Sequence, residues 1–132
     1  MENFKINEIE ALKLSIENMD INMISLFLND NQKYRLLPKE IFLIKLKQAF
    51  KDFNTHGDTC LDAFEGLCGD TFDKNKIGYI FRGRTSFNYM TIVFKCENNK
   101  IYTLCECGNL KIQNPKIELN KQIYIDEFGD PF

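Results

Sequence analysis

From residue 59 to residue 107, apolar and polar residues alternate with a period close to two, as they do in half-buried β-strands. Clusters of Gly, Asn and Asp interrupt this alternation and mark the turns between strands. Pro115 breaks the pattern, and residues 116–128 are expected to add one short edge element. The predicted strands cover residues 59–68, 77–84, 89–96 and 101–107.

The clearest predicted hairpin joins the last two of these strands. The pair Asn98–Asn99 lies between them, and asparagine tolerates the positive φ that a tight turn requires. A turn at this position pairs Cys96 with Ile101 and Ile92 with Cys105. One face of the hairpin is then almost wholly apolar, so another layer of the protein has to cover it.

The first half of the chain supplies that layer, because its apolar residues recur at the spacing of amphipathic helices. Asn7 and Asp20 are typical helix N-caps, and Pro38 fits the first position of a third helix. Gly57 is a natural stop, since glycine readily adopts the left-handed conformation beyond a helix end. The predicted elements are helices over residues 7–19, 20–28 and 38–56, with a short edge strand at residues 33–37.

Composition and charge narrow the class of protein. A chain of 132 residues with 44% hydrophobic and 27% charged residues is expected to form one globular domain. A net charge of -2 argues against nucleic-acid binding, and the lysines of the third helix are interpreted as a solvated face. No apolar run approaches the length of a membrane helix, and residues 1–8 lack the apolar core of a signal peptide. We therefore expect a cytoplasmic protein, without a membrane partner, whose five cysteines are reduced.

The order helix, helix, short strand, long helix and antiparallel meander resembles the nuclear transport factor two-like superfamily, which includes ketosteroid isomerases and polyketide cyclases. Residues 16–30 are similar to the family's turn between its first two helices, and the resemblance covers roughly residues 5–110. It implies an α+β fold in which three N-terminal helices pack on a curved antiparallel sheet, a cystatin-like cone. The whole chain, residues 1–132, would be this one domain, with residues 115–132 as a C-terminal extension or edge element.

The catalytic residues of the isomerases have no counterpart in this sequence. The resemblance places Leu12, Leu36 and Thr91 where those enzymes carry a tyrosine, a general-base aspartate and a protonated aspartate. His56 is the only histidine, and its place at a helix end is typical of a residue that complements the free carbonyls there. The chain is therefore not expected to share the chemistry of those enzymes.

The resemblance also implies a ligand pocket at the open end of the cone and dimerisation through the outer face of the sheet. Glu65 would bring a carboxylate into this pocket, where burial raises the pKa of an acid or base. In the opposite strand register Asp62 points inward instead, and the alternation leaves both registers open. Inward-face alternation predicts a pocket lined by Tyr34, Glu65, Tyr79, Phe81, Phe94 and Cys105.

Two further groups of residues are candidate sites. Arg82 and Arg84 share a strand face and could hold an anion, although a pair of exposed charges on the outer sheet face is the preferred interpretation. The cysteines include no Cys-x-x-Cys pair, so they are interpreted as core residues, and neither a metal site nor a cofactor is predicted.

Three functions remain as hypotheses. The first is a non-catalytic module that binds a small apolar molecule in the cone. The second is a protein-interaction module that dimerises, or binds a partner such as a toxin as immunity proteins do, through the outer sheet face or the basic third helix. The third is a small lyase or isomerase with Glu65 or Asp62 as its base. A filled cone and an exposed apolar face would favour the second.

Overall fold

A computed structural model describes residues 8–34, 37–68, 75–97, 100–107, 110–112 and 116–125. The predicted Asn7 cap, Leu36 and the Asn98–Asn99 turn lie outside these residues. The helices are α1 (Glu8–Glu17), α2 (Ile21–Phe27) and α3 (Lys39–Thr55). The strands are β1 (Lys33–Tyr34), β2 (Leu37–Pro38), β3 (Leu61–Cys68), β4 (Lys76–Gly83), β5 (Tyr89–Glu97), β6 (Lys100–Cys105) and β7 (Leu110–Ile112).

The α+β class and the three predicted helices are confirmed. The N–H of Met23 donates to the side chain of Asp20, so the predicted cap of α2 forms. Gly57 follows α3 with a φ of +96°, as its role as a helix stop requires. The prediction that all three helices are N-terminal is wrong, because Tyr34 pairs with Leu37 and a two-stranded sheet precedes α3.

The main sheet contains five antiparallel strands in the order β6-β5-β4-β3-β7. Strands β3 to β6 form the predicted meander, since each pairs with its neighbour in sequence. The chain then returns to the opposite edge, where β7 pairs with the end of β3. This last strand was not predicted, because three residues are too short for alternation to be recognised.

The hairpin of β5 and β6 departs from its predicted register. Cys96 pairs with Ile101 as expected, but a β-bulge shifts the next pairs by one residue. The predicted pairing of Cys105 with Ile92 is therefore wrong, and Cys105 pairs with Val93. A shift of one residue moves every later side chain to the other face of the strand.

Leu104 gains the inner position that the predicted register gave to Cys105. It pairs with Phe94, and both side chains belong to the hydrophobic core between sheet and helices. Cys105 is half-buried on the outer face of the sheet.

The helices cover the inner face of the sheet, and aromatic rings fill the space between the two layers. Each helix turns its regularly spaced apolar residues inward, with Leu12 of α1, Ile24 of α2 and Leu46 of α3 fully buried. Residues from the sheet meet them, so that the interior is close-packed. Among the described residues, the buried aromatic ones are Tyr34, Phe42, Phe50, Phe53, Tyr79, Phe81 and Phe94.

The C-terminal segment, residues 116–125, lies along the first half of β5, beyond the end of β6. The N–H of Tyr89 donates to the carbonyl of Lys121, and the N–H of Ile123 donates to the carbonyl of Tyr89. Ile123 and Ile125 then enter the hydrophobic core. The segment thus satisfies backbone groups of β5 that have no partner in β6.

The centre of the outer sheet face is also buried. Ile80 and Val93 are 1% and 2% exposed, and neither belongs to the core beneath the helices. Thr91, beside them, bonds through its hydroxyl to the backbone of Cys107 and to the side chain of Gln122. The protein's own chain therefore occupies part of the face that was expected to carry a dimer interface.

The cysteines do not all share one redox state. Cys60, Cys96 and Cys105 are free thiols, whereas Cys107 is disulfide-bonded, and the side chain of Cys68 lies outside the described part. The expectation that every cysteine is reduced is wrong for Cys107. Among the described helices, none has the length and apolar character required to cross a membrane.

Candidate functional site

The four aromatic residues of the predicted pocket are core residues. Phe81 and Phe94 are fully buried, and the ring of Tyr79 packs against theirs at centroid distances of 5.9 and 5.4 Å. Burial, with smaller contributions from nearby carboxylates, raises the pKa of Tyr79 to about 12. Tyr34 accepts a hydrogen bond of 2.7 Å from the N–H of Asn29, and burial raises its pKa also. These residues fill the interior where a ligand was expected.

The two remaining predicted pocket residues lie elsewhere. Glu65 is exposed, and Cys105 is on the opposite face of the sheet from Phe94. Asp62, the alternative carboxylate, forms an ion pair of 2.9 Å with Arg84. Neither carboxylate is therefore the buried acid or base that the lyase or isomerase hypothesis requires. The six predicted residues occupy three separate environments, namely the core, the solvent and the outer sheet face.

The two arginines do not converge on an anion site. Arg84 is held by Asp62, and the guanidinium of Arg82 lies 4.3 Å from the centroid of the Phe87 ring and 5.1 Å from that of Phe64. Its Nη1 donates to the carbonyl of Glu118, which ties the C-terminal segment to the sheet. Arg82 thus has a structural role that the sequence pattern did not reveal.

His56 behaves as its position at the end of α3 predicts. It is the C-cap residue, and its Nδ1 lies 2.9 Å from the carbonyl oxygen of Asp52 and 3.2 Å from the Asp52 carboxylate. The imidazole is exposed, and both of these contacts are with the last turn of α3.

A buried carboxylate that sequence reasoning missed is Asp58, which is 1% exposed. It accepts hydrogen bonds from the N–H groups of Thr85 and Ser86 and from the Ser86 hydroxyl. Gly83 lies so close to this carboxylate that a Cβ there would overlap it. Because these partners are more than 20 residues away in sequence, no local pattern indicates them. Asp58 organises the turn between β4 and β5.

Exposed apolar side chains are concentrated on the helices. Seven large hydrophobic residues of the described part are exposed, and four of them lie on α2 and α3. Leu26 of α2 is 77% exposed, and Ile44 of α3 is 54% exposed. We use the name α2–α3 face for the exposed side chains of Met23 and Leu26 on α2 and of Ile44, Lys47 and Lys51 on α3. Single exposed apolar residues are ordinary, but a group of them on neighbouring helices is typical of an interaction surface.

The helical periodicity of α3 explains how this face forms. Leu46 and Phe53, seven residues apart, point into the core. Ile44, Lys47 and Lys51 follow the spacing i, i+3, i+7 and therefore share the opposite side of the helix. The same helix thus supplies both core and surface.

A groove of about 750 Å³ adjoins this face, between the α1–α2 turn and α3. Its apolar floor is formed by Met19, Ile21 and Phe50. Lys47 and Lys51 line the side formed by α3. The remaining lining residues are polar, namely Asn18, Asp20, Asn22 and Asn54. This volume lies within the range of protein pockets that bind organic groups.

Met19, which lines the groove, has a strained backbone conformation. Its φ is +53°, a left-handed conformation that costs a residue with a Cβ on the order of 1 kcal/mol. The N–H of Met19 donates to the carbonyl of Ile16, and that of Asp20 donates to the carbonyl of Ser15, which closes the end of α1. Glycine is the usual residue at such a position, so the methionine side chain is a notable choice there.

Two cations of the groove are available to a partner. Lys47 and Lys51 are exposed, and neither forms an ion pair with another described residue. Lys39, by contrast, binds the carboxylate of Asp30 and the carbonyl of Leu28. The groove is thus locally cationic in a chain whose net charge is -2.

Two smaller cavities involve the same helix. One of about 280 Å³ lies between α3 and the C-terminal residues 123–125, and one of about 400 Å³ lies beside Pro38 and Leu43. Within the part of the chain that the structure describes, no group of three His, Cys, Asp or Glu residues is arranged to hold a metal ion. Comparison with models of known protein families and with curated proteins finds no match.

Proposed function

We propose that this protein is a protein-interaction module that binds its partner through the α2–α3 face. The observation that carries the proposal is the exposure of Leu26 on α2 and of Ile44 on the neighbouring helix α3. Lys47 and Lys51 of α3 are also exposed, and they lack ion-pair partners among the described residues. Interfaces typically combine an apolar centre with charged residues around it. The basic third helix was one of the two surfaces that the sequence predicted for a partner.

A small apolar ligand inside the cone is the weaker candidate. Phe81, Phe94 and Phe53 are 0% exposed, so a ligand there would have to displace packed aromatic rings. The curved cone and the resemblance to the nuclear transport factor two-like superfamily are part of our proposal. They are supported by the order of α1, α2, β1, β2 and α3 before the antiparallel meander.

A homodimer through the outer sheet face is disfavoured by the C-terminal segment, which already contacts Arg82 and Thr91 there. A homodimer through the α2–α3 face is disfavoured by charge. The twofold axis of such a dimer would bring Lys47 and Lys51 of two copies near one another. The proposed partner is therefore a different protein.

The disulfide of Cys107 bears on where this interaction takes place. Disulfides persist in oxidising compartments and are rare in the cytoplasm, so this bond opposes the predicted cytoplasmic location. We propose that the partner is met in an oxidising compartment.

Position-specific cross-linking tests the proposed surface. A photoreactive phenylalanine analogue at position 26 should cross-link a partner in the producing cells, and the same analogue at position 102 should not. Tyr102 is a matched control because it is also exposed, at 45%, but belongs to β6 and not to α2 or α3. The protein recovered at position 26 is then purified for a binding assay.

In that assay Leu26→Asp and Ile44→Asp should each weaken binding at least about tenfold, since truncating or charging an interface centre has effects of this size. Tyr102→Asp should change it less than about twofold. Equal cross-linking from both positions would contradict the proposal. So would a stoichiometric small organic molecule that native mass spectrometry finds retained by the purified chain.

A further inference from the structure

We propose that the partner presents an acidic amphipathic helix, which lies along α3 with its apolar side chains in the groove. This inference rests on the proposed function and names the occupant of the same surface. It follows from the spacing of Lys47 and Lys51, from the apolar residues that line the groove and from the polar residues that line it with them.

The two lysines define the charge pattern of the occupant. Lys47 and Lys51 are one helical turn apart, a rise of about 6 Å along α3. Carboxylates four residues apart on a second helix have the same rise, so an antiparallel or parallel helix can pair with both lysines at once. An extended strand, which rises about 3.3 Å per residue, places alternate side chains at a similar distance but sends its remaining backbone groups to the groove unpaired.

The apolar floor explains how the helix is held. Phe50 is 3% exposed and forms the base of the groove, with Met19 and Ile21 on the side of the α1–α2 turn. Methionine is flexible and polarisable, so it adapts to different apolar side chains. One or two large apolar residues between the acidic ones would enter here, as in other complexes of a helix with a groove. Met23 and Leu26 of α2 are exposed apolar residues as well.

The polar residues that line the groove favour an acidic helix over a polyanion such as nucleic acid. Asp20 lines the groove, and one of its carboxylate oxygens accepts the N–H of Met23. Asn18, Asn22 and Asn54 add amides, which bond to polar side chains of either kind. Two free lysines facing a carboxylate do not form the broad basic surface that nucleic acid requires. A peptide with few, well-placed acidic residues fits this groove.

Binding of defined peptides tests the inference. The probes are helical peptides about four turns long, with two glutamates one turn apart and Leu, Ile, Phe or Met on the same side. Control peptides carry lysine in place of the glutamates. Binding to the full ¹⁵N-labelled chain is followed by fluorescence anisotropy and by the backbone amide signals. We expect the acidic peptides alone to bind, and to shift the amides of residues 18–22 and 47–54.

The matched variants are Lys47→Glu with Lys51→Glu, and Lys76→Glu with Lys100→Glu. Both pairs change exposed lysines and alter net charge equally, but the second pair lies on β4 and β6. The first pair should weaken binding at least about tenfold, and the second less than about twofold. Equal effects, equal binding of the lysine peptides, shifts at other residues, or equally tight binding of single-stranded DNA would overturn the inference.

The outcomes separate this inference from the proposed function. If no acidic peptide occupies the groove but cross-linking at position 26 and the Leu26→Asp variant behave as expected, the acidic helix is wrong and the interaction module stands. If the experiments at Leu26 fail as well, both proposals fall.

Discussion

Asp58 and Ser86 are joined by a hydrogen bond of 2.6 Å although 28 residues separate them in sequence. The Ser86 hydroxyl also accepts the N–H of Asn88, and the side chain of Asn88 accepts the N–H of Lys121. One buried carboxylate is therefore linked, through the β4–β5 turn, to the C-terminal segment that lies beside β5.

Replacing Asp58 with alanine should lower the free energy of unfolding by about 3 kcal/mol. The substitution leaves two partly buried N–H groups and one hydroxyl without their carboxylate acceptor. An unpaired donor loses more free energy than the hydrogen bond itself contributes. Urea denaturation followed by circular dichroism measures the change.

The matched control for Asp58→Ala is Asp62→Ala, which removes an exposed ion pair with Arg84. That change should cost less than about 1 kcal/mol. Similar losses in both variants would show that the Asp58 network contributes no more than a surface pair.

The sequence predicts best what depends on neighbouring residues. The helices follow from apolar periodicity, and the cap of α2 joins residues three positions apart. The register of β5 and β6 failed beyond Cys96 because a bulge depends on how both strands pack rather than on the turn alone. Asp58 was missed because its partners become neighbours only after the sheet has formed.

The candidate site also depends on residues that are distant in sequence and therefore could not be predicted as a whole. The lysine spacing of α3 was visible in the sequence and by itself indicates a solvated face. The exposed apolar residues come from two helices, Leu26 from α2 and Ile44 from α3, and these helices become neighbours only after folding. The six predicted pocket residues lie in three environments, because the alternation of strand residues does not say whether inward rings leave space between them.

The contribution of the C-terminal segment can be measured at two adjacent residues. Ile125 is 5% exposed in the core, whereas Tyr124 is 47% exposed. Ile125→Ala should lower the free energy of unfolding by about 2 to 4 kcal/mol, because it removes buried methylene groups and leaves a cavity. Tyr124→Ala should change it by less than about 1 kcal/mol. Equal urea midpoints for Ile125→Ala and the parent chain would show that the segment does not pack on the core in solution.

Alkaline pH should destabilise the protein through Tyr79. Its pKa is raised from 10.0 to about 12, so the folded state holds the phenol proton more tightly than the unfolded state does. The unfolded chain therefore binds fewer protons between these two values, and stability falls as pH rises from 10 to 12. Below pH 10 both states are protonated, and this contribution is constant.

Tyr79→Phe cannot ionise, so its loss of stability over the same pH range should be smaller by up to about 2 kcal/mol. Tyr102→Phe is the control, because Tyr102 is 45% exposed. Chemical denaturation at each pH gives the stability of the parent chain and of both variants. Identical pH profiles for the parent and Tyr79→Phe would mean that Tyr79 is not protected from ionisation in the folded protein.

The thiol count tests the redox state of Cys107. The chain contains five cysteines, and a single disulfide that includes Cys107 uses two of them. Unfolding without a reductant should therefore leave three thiols for a thiol reagent, in agreement with the free Cys60, Cys96 and Cys105. Reduction before the assay should raise the count to five. Cys60→Ser should lower each count by one, since Cys60 is not bonded. Protein purified without reductant that already shows five thiols would contradict the disulfide, and would restore the cytoplasm as the expected compartment.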